Sequence, residues 1–96
     1  MPKAYVIVDM DVRDPDQYAQ YVALATPATA AAGGRYLVRG GTAVVLEGDR
    51  NPKRTAILEF PDLESAQAWY DSPEYTAARE LRKDVATGSL IAVEGV

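Results

Sequence analysis

The chain has 96 residues, 48% hydrophobic and 25% charged, which is typical of one globular domain and not of a disordered or membrane-spanning chain. It contains no histidine and no cysteine, which excludes an imidazole base, a thiolate nucleophile, disulfides, zinc and iron–sulfur sites, and haem ligation by imidazole or thiolate. The net charge of -4 disfavours nucleic acid and anionic lipid, so we expect neither as a partner.

The N-terminal residues predict a strand and then a helix. Residues 4–11 are rich in β-branched and aromatic side chains and are apolar on both faces, as in a strand whose two faces are both buried. Asp14 is placed to cap the free amides of a helix, and Pro15 suits the first helical position. At three- and four-residue spacing this helix should bury one stripe, made of Tyr18, Tyr21, Val22 and Ala25.

Glycines and a proline organise the middle of the chain. Thr26–Pro27 repeats the cap-and-proline signal, so we expect a kink or a restart before the helix ends at Gly33–Gly34. Two strand-like segments follow, residues 35–39 and 42–47, with Gly40–Gly41 between them. The glycine pair is either a hairpin turn or a bend in one long strand. We favour the bend, because it gives the order β-α-β-β-α-β and lays both helices on one face of the sheet.

The second half of the chain predicts a strand, a helix and a last strand. Residues 54–60 form the third strand, Asp62 caps the second helix, and Ser72–Pro73 restarts it. Residues 89–94 form the last strand. The predicted fold class is therefore α+β, a ferredoxin-like βαββαβ arrangement with a four-stranded antiparallel sheet, in a single domain over residues 1–96.

The predicted sheet is apolar on both faces, whereas the helices can cover only one of them. The uncovered side chains should be Tyr5, Ile7, Val45, Ile57 and either Leu90 or Ala92. An exposed apolar sheet face of this kind marks an interface, and a second copy that offers the same face is the simplest cover. We therefore predict a homodimer in which the two sheets pack face to face.

Four sequence motifs, in this order, resemble the bacterial domain-of-unknown-function family 1330. They are GGRYLVRGG at 33–41, LEG at 46–48, EFP at 59–61 and WYDSPEY at 69–75, and the resemblance spans essentially the whole chain. It implies a dimeric α/β barrel, in which the sheets of two ferredoxin-like monomers meet. Relatives in that superfamily include cofactor-free monooxygenases, muconolactone isomerases and haem-dependent chlorite dismutases, and the family itself has no established activity.

Two acidic residues are candidates for proton transfer. If the first and third strands are antiparallel neighbours, Asp9 lies near Thr55, and Tyr5 lies near Glu59. The turn at 49–53 would pair Glu47 with about Thr55, so that Asp9 and Glu47 share a face and one of the two pKa values rises. The alternative, which we favour, is that both are rim charges satisfied by Lys53, Arg54 or solvent.

Arginines and aromatic residues complete the candidate site. Arg35 and Arg39 are expected on one face, where they either clamp a small anion or bridge to Glu59, Glu74 or Glu80 of a partner subunit. Aromatic side chains of both helices either line a ligand pocket or, as we favour, form plain core; these are Tyr18, Tyr21, Trp69, Tyr70 and Tyr75. The candidate ligand pocket comprises Asp9, Tyr18, Arg35, Arg39, Glu47, Glu59, Trp69 and Tyr75.

Three functions remain open. The first in rank is an uncharacterised small dimeric barrel that binds a small organic ligand between helices and sheet. The second is a cofactor-independent oxygenase or isomerase acting on an aromatic or carbonyl compound, with Asp9, Glu47, Glu59 or Tyr75 handling protons and Arg39 steadying an enolate. The third is a purely structural dimerisation module. We expect no cofactor and no metal, and a cytoplasmic location because the N-terminal apolar run is too short for a signal peptide.

Overall fold

The computed structural model describes residues 2–96, which form four strands and three helices. The strands are β1 (Ala4–Val12), β2 (Arg35–Arg39), β3 (Arg54–Phe60) and β4 (Ala86–Glu94), and the helices are α1 (Pro15–Ala31), α2 (Leu63–Asp71) and α3 (Pro73–Glu80). Among these residues no helix has both the length and the apolar character needed to cross a membrane.

The strands of residues 2–96 form one antiparallel sheet in the order β2-β3-β1-β4. This order confirms the predicted ferredoxin-like α+β fold. β1 lies inside the sheet, where Ile7 is opposite Ile57 of β3 and Ile91 of β4. Alternate residues of β1 (Ala4, Val6, Val8 and Met10) are buried under the helices. The predicted alternation of faces along β1 is therefore correct.

Each helix starts at a residue that caps it. Asp14, Asp62 and Ser72 accept backbone N–H groups of the first turns of α1, α2 and α3, with closest donor–acceptor distances of 3.1, 2.7 and 3.2 Å. Backbone N–H groups in a first turn have no partner within the helix, so these caps fix where the helices begin. The predicted restart at Ser72–Pro73 is confirmed, because α2 and α3 are separate helices.

Of the two alternatives predicted at Thr26–Pro27, a kink or a restart, the restart is wrong, because Pro27 lies inside α1, which is one continuous helix. The hydroxyl of Thr26 donates to the Val22 carbonyl one turn earlier, at 2.8 Å, and does not cap a new helix. Packing of the α1 stripe against the core holds the helix through the proline: Ala25, Ala28 and Thr29, on either side of it, are buried.

The segment after β2 also differs from the prediction. Residues 42–47 form neither the second half of a bent strand nor a hairpin partner of β2. Gly40 adopts a left-handed conformation with a φ of 75°, and its N–H donates to the Thr55 carbonyl at 2.8 Å. Beyond that bond the chain leaves the sheet, because no further strand of residues 2–96 lies outside β2.

An extra residue interrupts the pairing of β2 with β3. Tyr36 is opposite Leu58, but Val38 is opposite Ile57, so Leu37 has no partner of its own. This is a β-bulge, which shifts by one residue the alternation of faces along the strand. Arg35 and Val38 therefore share one face of β2.

Aromatic side chains fill the core between sheet and helices. Phe60, Trp69 and Tyr75 are at most 2% exposed. The Trp69 ring lies 4.1 Å from the Tyr75 ring and 5.2 Å from the Phe60 ring, measured between centroids. The hydroxyls of Tyr21 and Tyr75 form a buried hydrogen bond of 2.7 Å. The favoured interpretation of these aromatic residues as core is correct, and Tyr70, which is 38% exposed, is the exception.

Candidate functional site

The face of the sheet away from the helices, here called the open face, carries an apolar row across the strands. Directly paired residues of an antiparallel sheet share a face, and the pairings align Val38, Ile57, Ile7 and Ile91 from β2 to β4. A polar row (Thr55, Asp9 and Ser89) lies on one side of it, and a mixed row (Arg35, Glu59, Tyr5 and Val93) lies on the other. The open face is thus an apolar stripe with polar margins.

The prediction for β4 on this face was wrong by one residue. Leu90 is opposite Val8, and Ala92 is opposite Val6, so both lie on the helix-covered face. Ile91 and Val93, which are 57% and 47% exposed, occupy the open face instead. Which β4 side chains lie on the open face depends on the register of β4 with β1. Residues 90–93 are all apolar, so their types do not reveal that register. The expected contribution of Val45 is also wrong, because Val45 lies in the 42–47 segment outside the sheet.

Glu59 is the centre of an ion-pair group on the open face. Its Oε1 accepts from Arg35 Nε at 2.8 Å and lies 3.5 Å from Lys3 Nζ. The hydrogen bond from Arg35 holds the pKa of Glu59 below its ordinary value, and Lys3 adds to that effect. Of the two roles predicted for Arg35, bridging is the one observed, but to Glu59 of the same chain.

The predicted arginine clamp does not form, because Arg35 and Arg39 lie on opposite faces of the sheet. Arg35 is opposite Glu59 on the open face, whereas Arg39 is opposite Ala56 on the covered face. The bulge at Leu37 puts the two arginines on opposite faces, because it shifts the alternation of side chains by one residue. Arg39 instead lies over the Tyr36 ring, with its guanidinium carbon 4.3 Å from the ring centroid.

The two acidic candidates for proton transfer are also separate. Asp9 is opposite Thr55, as predicted, but Glu47 lies in the exposed 42–47 segment and pairs with no strand. Asp9 accepts the backbone N–H of Lys53 at 3.2 Å and lies 3.8 Å from the Arg50 guanidinium. The shared-face arrangement of Asp9 and Glu47 is therefore wrong, and Asp9 is a rim charge, as the favoured alternative held.

A cleft of about 630 Å³ opens between the helices and the β1/β4 side of the sheet. Its walls come from β1, α2, β4 and the turn after α3: Val6, Met10, Ala66, Gln67, Trp69, Tyr70, Asp71, Arg82, Gly88, Leu90, Ile91 and Ala92. Of the candidate pocket residues only Trp69 borders this cleft. Trp69 also borders, with Tyr18 and Arg39, a cavity of about 20 Å³, roughly the space of one water. A ligand-binding role for the candidate residues stays a prediction.

Two nitrogen donors at the cleft residues are left without partners. Within residues 2–96, Arg82 forms no ion pair, and its buried Nε has no hydrogen-bond acceptor. The buried indole Nε1 of Trp69 likewise has no acceptor in the described part of the chain. Buried donors normally find acceptors, so these two nitrogens are among the exceptions in the described part of the chain. The Arg82 guanidinium carbon lies 5.2 Å from the Tyr21 ring centroid.

Sequence reasoning missed Arg82 and Gly88. Arg82 follows the second helical segment of the sequence, where a favourable interaction with the helix dipole is enough to explain a basic residue. Gly88 faces Met10 across the β1/β4 ladder, where a Cβ atom would come within 1.9 Å of the Asp9 carbonyl oxygen. A glycine just before a predicted strand was the one available signal for this close approach.

Tyr18 and Tyr21, which border the small cavity, do not ionise near neutral pH. Burial raises the pKa of Tyr21, and the neighbouring Tyr75 hydroxyl raises it further. Burial likewise raises the pKa of Tyr18, against the opposing effect of Arg54. These two phenols are therefore neutral hydrogen-bonding groups.

Comparison with known proteins identifies similar folds. The model of the family described as Domain of unknown function (DUF1330) matches residues 3–96. A protein of unknown function from Rhodopseudomonas palustris has a TM-score of 0.76 and 21% identity, over 99% of this chain and 83% of that chain. SnoaB, a cofactor-independent oxygenase from Streptomyces nogalater, has a TM-score of 0.67 and 10% identity, over 100% of this chain and 95% of that chain.

A third similar structure is a dimeric ferredoxin-like protein of unknown function from Thermobifida fusca. It has a TM-score of 0.62 and 18% identity, over 99% of this chain and 91% of that chain. No curated protein matches the sequence significantly. At these identities the structural likeness establishes the fold and not a shared activity.

Proposed function

The chain belongs to the family described as Domain of unknown function (DUF1330), and we propose that it is a homodimer that binds a small organic ligand in the cleft between the helices and the β1/β4 side of the sheet. The observation that carries the proposal is the cleft itself. Its volume of about 630 Å³ lies within the range of small-molecule sites.

The walls of the cleft have the composition expected of a site for a small organic molecule. Val6, Met10 and Leu90 supply apolar surface, and Trp69 and Tyr70 supply aromatic surface. A few polar side chains are placed among them, as in sites that combine apolar contact with oriented hydrogen bonds. The sheet floor is rigid, because β1 pairs with β3 on one side and with β4 on the other.

Arg82 favours a ligand with an acidic group. It is a cation at the cleft, and among residues 2–96 no carboxylate pairs with it. A planar guanidinium binds a carboxylate or an enolate through two parallel hydrogen bonds. Asp71 borders the same cleft and disfavours a second negative charge nearby. A ligand with one acidic group and an apolar or aromatic body fits both observations.

The open face supports the homodimer. Its apolar row is bordered by charged and polar rows, which is the pattern of an interface core with a polar rim. Similar structures from Thermobifida fusca and a Jannaschia species are described as dimeric ferredoxin-like proteins. A two-fold axis lets the same face of a second copy cover the row.

Ligand binding is tested with a thermal-shift screen of small aromatic acids and their neutral amides. Trp69 is the single tryptophan of the chain and borders the cleft, so its fluorescence reports binding directly. We expect acids to raise the melting temperature, because a ligand that binds only the native state stabilises it. Arg82→Gln should remove the preference for the acid over the amide.

A matched pair of variants locates the site. Ala92→Phe fills the cleft from an exposed position on β4, and Ala23→Phe adds the same side chain to the exposed surface of α1. Ala92→Phe should abolish the shift, and Ala23→Phe should retain it. Equal loss in both variants, or no stabilising compound at all, would leave the structural dimerisation module as the function.

A second candidate function is cofactor-independent oxygenation or isomerisation of the bound compound. It is favoured by the fold shared with SnoaB, which is described as a cofactor-independent oxygenase. The predicted proton-handling residues Asp9, Glu47, Glu59 and Tyr75 do not border the cleft, so Arg82 is the residue of this chain that would stabilise an enolate there. Oxygen consumption and product formation with each stabilising compound, in wild type and Arg82→Gln, test this candidate.

A further inference from the structure

A smaller pocket, here called the side pocket, adjoins the cleft at Tyr70 and Arg82, which border both spaces. Its volume is about 220 Å³. The remaining walls come from α3 and the turn after it: Thr76, Arg79, Glu80 and Lys83. Because the two spaces share these two wall residues, a ligand that contacts Arg82 in the cleft can also reach the side pocket.

The side pocket has an excess of positive charge. Three of its six wall residues are cations, and Glu80 is the single carboxylate among them. Glu80 accepts from Lys83 Nζ at 2.8 Å, so that pair is satisfied within the chain. Among residues 2–96 neither Arg79 nor Arg82 forms an ion pair. Like charges held at one pocket repel each other, and an anion bound between them removes that repulsion.

Contacts within the chain hold the Arg79 guanidinium in place. Its Nη1 donates to the Tyr70 hydroxyl at 2.9 Å, and its Nη2 donates to the Thr76 hydroxyl at 3.3 Å and to the Tyr70 carbonyl at 3.4 Å. The guanidinium carbon lies 4.1 Å from the Tyr70 ring centroid. The buried Nε of Arg79 has no acceptor among residues 2–96. A guanidinium fixed in this way loses little conformational freedom when it binds an anion.

Arg82 is held through its backbone. Its N–H donates to the Arg79 carbonyl at 3.1 Å, and its own carbonyl accepts the N–H groups of Val85 and Ala86 at 3.1 and 3.0 Å. Residues three apart in a helical turn are neighbours on the same side. The turn after α3 therefore keeps Arg82 beside Arg79, and both border the side pocket.

A phosphate monoester suits two fixed guanidinium groups better than a carboxylate does. Its phosphate carries about two negative charges near neutral pH and has three strong acceptor oxygens. A guanidinium binds phosphate through parallel hydrogen bonds, and a single arginine already satisfies the two oxygens of a carboxylate. Asp71 borders the cleft but not the side pocket. Extra negative charge is therefore better placed in the side pocket than in the cleft.

We propose that Arg79 and Arg82 form a phosphate subsite in the side pocket, and that the ligand is the phosphate monoester of an aromatic or apolar alcohol. This inference rests on the proposed ligand site in the cleft and names the chemical class of the ligand. The apolar body lies in the cleft beside Trp69 and Tyr70, and the phosphate bridges the two guanidinium groups.

Two matched probes test the subsite: phenyl phosphate and phenylacetate, which both have one atom between an aromatic ring and the acidic group. Trp69 fluorescence gives the dissociation constant of each. Wild type should bind phenyl phosphate at least about tenfold more tightly than phenylacetate, because the second arginine adds charge-assisted hydrogen bonds. Inorganic phosphate, which lacks the ring, should bind at least about tenfold more weakly than phenyl phosphate.

Substitutions at Arg79 locate the preference. Arg79→Gln should reduce the preference for phenyl phosphate to less than about threefold and change the dissociation constant of phenylacetate by less than about twofold, because one arginine suffices for a carboxylate. Arg79→Lys keeps the charge but not the planar fork, so it should retain part of the preference. Arg50→Gln is the matched control, because Arg50 is 79% exposed and borders neither space. It should keep the full preference.

Nitrogen-15 NMR of the wild-type protein gives a measurement that needs no substitution at the subsite. The Nε–H resonances of Arg79 and Arg82 should both shift with phenyl phosphate, because its oxygens then lie beside both guanidinium groups. Phenylacetate should shift the Arg82 resonance more than that of Arg79. The Nε–H of Arg35, which donates to Glu59, is the reference and should not move with either probe.

The outcomes separate this proposal from the ligand site on which it rests. Equal affinity for the two probes, or a preference that survives Arg79→Gln, overturns the phosphate subsite and leaves a site for acids in the cleft standing. Loss of the preference in Arg50→Gln also overturns the subsite, because net charge would then explain it. Inorganic phosphate that binds as tightly as phenyl phosphate overturns the ligand class. If neither the probes nor any compound of the thermal-shift screen binds, both proposals are overturned.

Discussion

The two faces of the sheet are built from alternate residues of the same strands, yet only one face is completed within the chain. On the covered face Val6, Val8 and Met10 are at most 6% exposed under the helices. On the open face Ile91 and Val93 remain about half exposed. The contrast teaches that the alternation of a strand sets where side chains point, whereas the number of helices sets which side is buried.

The two faces should therefore respond to substitution in different measurements. The covered face stabilises the fold of each chain, so its variants should change the free energy of unfolding. The open face lies at the proposed dimer interface, so its variants should change the dissociation constant of the dimer.

The largest effect is expected on the covered face, at Phe60. This side chain is 1% exposed and packs against Trp69 and beside Gly34. Phe60→Ala should lower the free energy of unfolding by about 3–5 kcal/mol, because it removes a buried ring and leaves a cavity. Urea unfolding followed by tryptophan fluorescence measures the loss. Leu24→Ala, at an exposed site, is the control and should lower the free energy of unfolding much less. An equal loss in the two variants would contradict the assignment of Phe60 to the core.

A large effect on association is expected on the open face, at Ile91. Ile91→Asp places a charge in the apolar row and should raise the dissociation constant of the dimer by at least about 100-fold, because an unpaired charge is costly to bury. Ala92→Asp is the adjacent control, since its side chain lies on the other face. Light scattering over a concentration series measures both, and a dimer unchanged by Ile91→Asp would refute the face-to-face arrangement.

The smallest effect concerns pH and the ion pairs of Glu59. The pKa of this carboxyl is lowered by Arg35 and then by Lys3, so its contribution to stability is present above the ordinary value of 4.5 and is lost as the pH falls through the lowered pKa. Across that acid range the melting temperature of wild type should fall toward that of Glu59→Gln. Melting curves against pH measure this difference, and Glu47→Gln, at an exposed and unpaired site, should show none. A difference between wild type and Glu59→Gln that grows on acidification would reverse the sign and reject the explanation.

Features set by neighbouring residues were predictable from the sequence. The caps at Asp14, Asp62 and Ser72 depend on a polar side chain and the amides of the next turn, and all three are observed. The alternation of β1 and the pairing of Asp9 with Thr55 follow from the two-residue repeat of a strand and from antiparallel neighbours. The fold class followed from the order of such local elements.

Features set by distant residues were not predictable. The register of β4 depends on its contact with β1, so a shift of one residue exchanged Leu90 for Ile91 on the open face. The cleft is a space between α2, the turn after α3 and β4, and such a space has no signature in any one segment. Thr26–Pro27 looks like a helix start, but buried packing along α1 outweighs the local preference.

The unpaired residue Leu37 has a consequence for the evolution of this fold. Deleting that single codon would leave a regular ladder in which Val38 is still opposite Ile57 and Arg39 is still opposite Ala56, so the Arg39 guanidinium would stay on the helix-covered face. Homologues with and without this residue would therefore present the same chemistry on each face, although their alignment needs a one-residue gap in β2. A change of that length in β2 is thus a neutral step in divergence, because the bulge absorbs it.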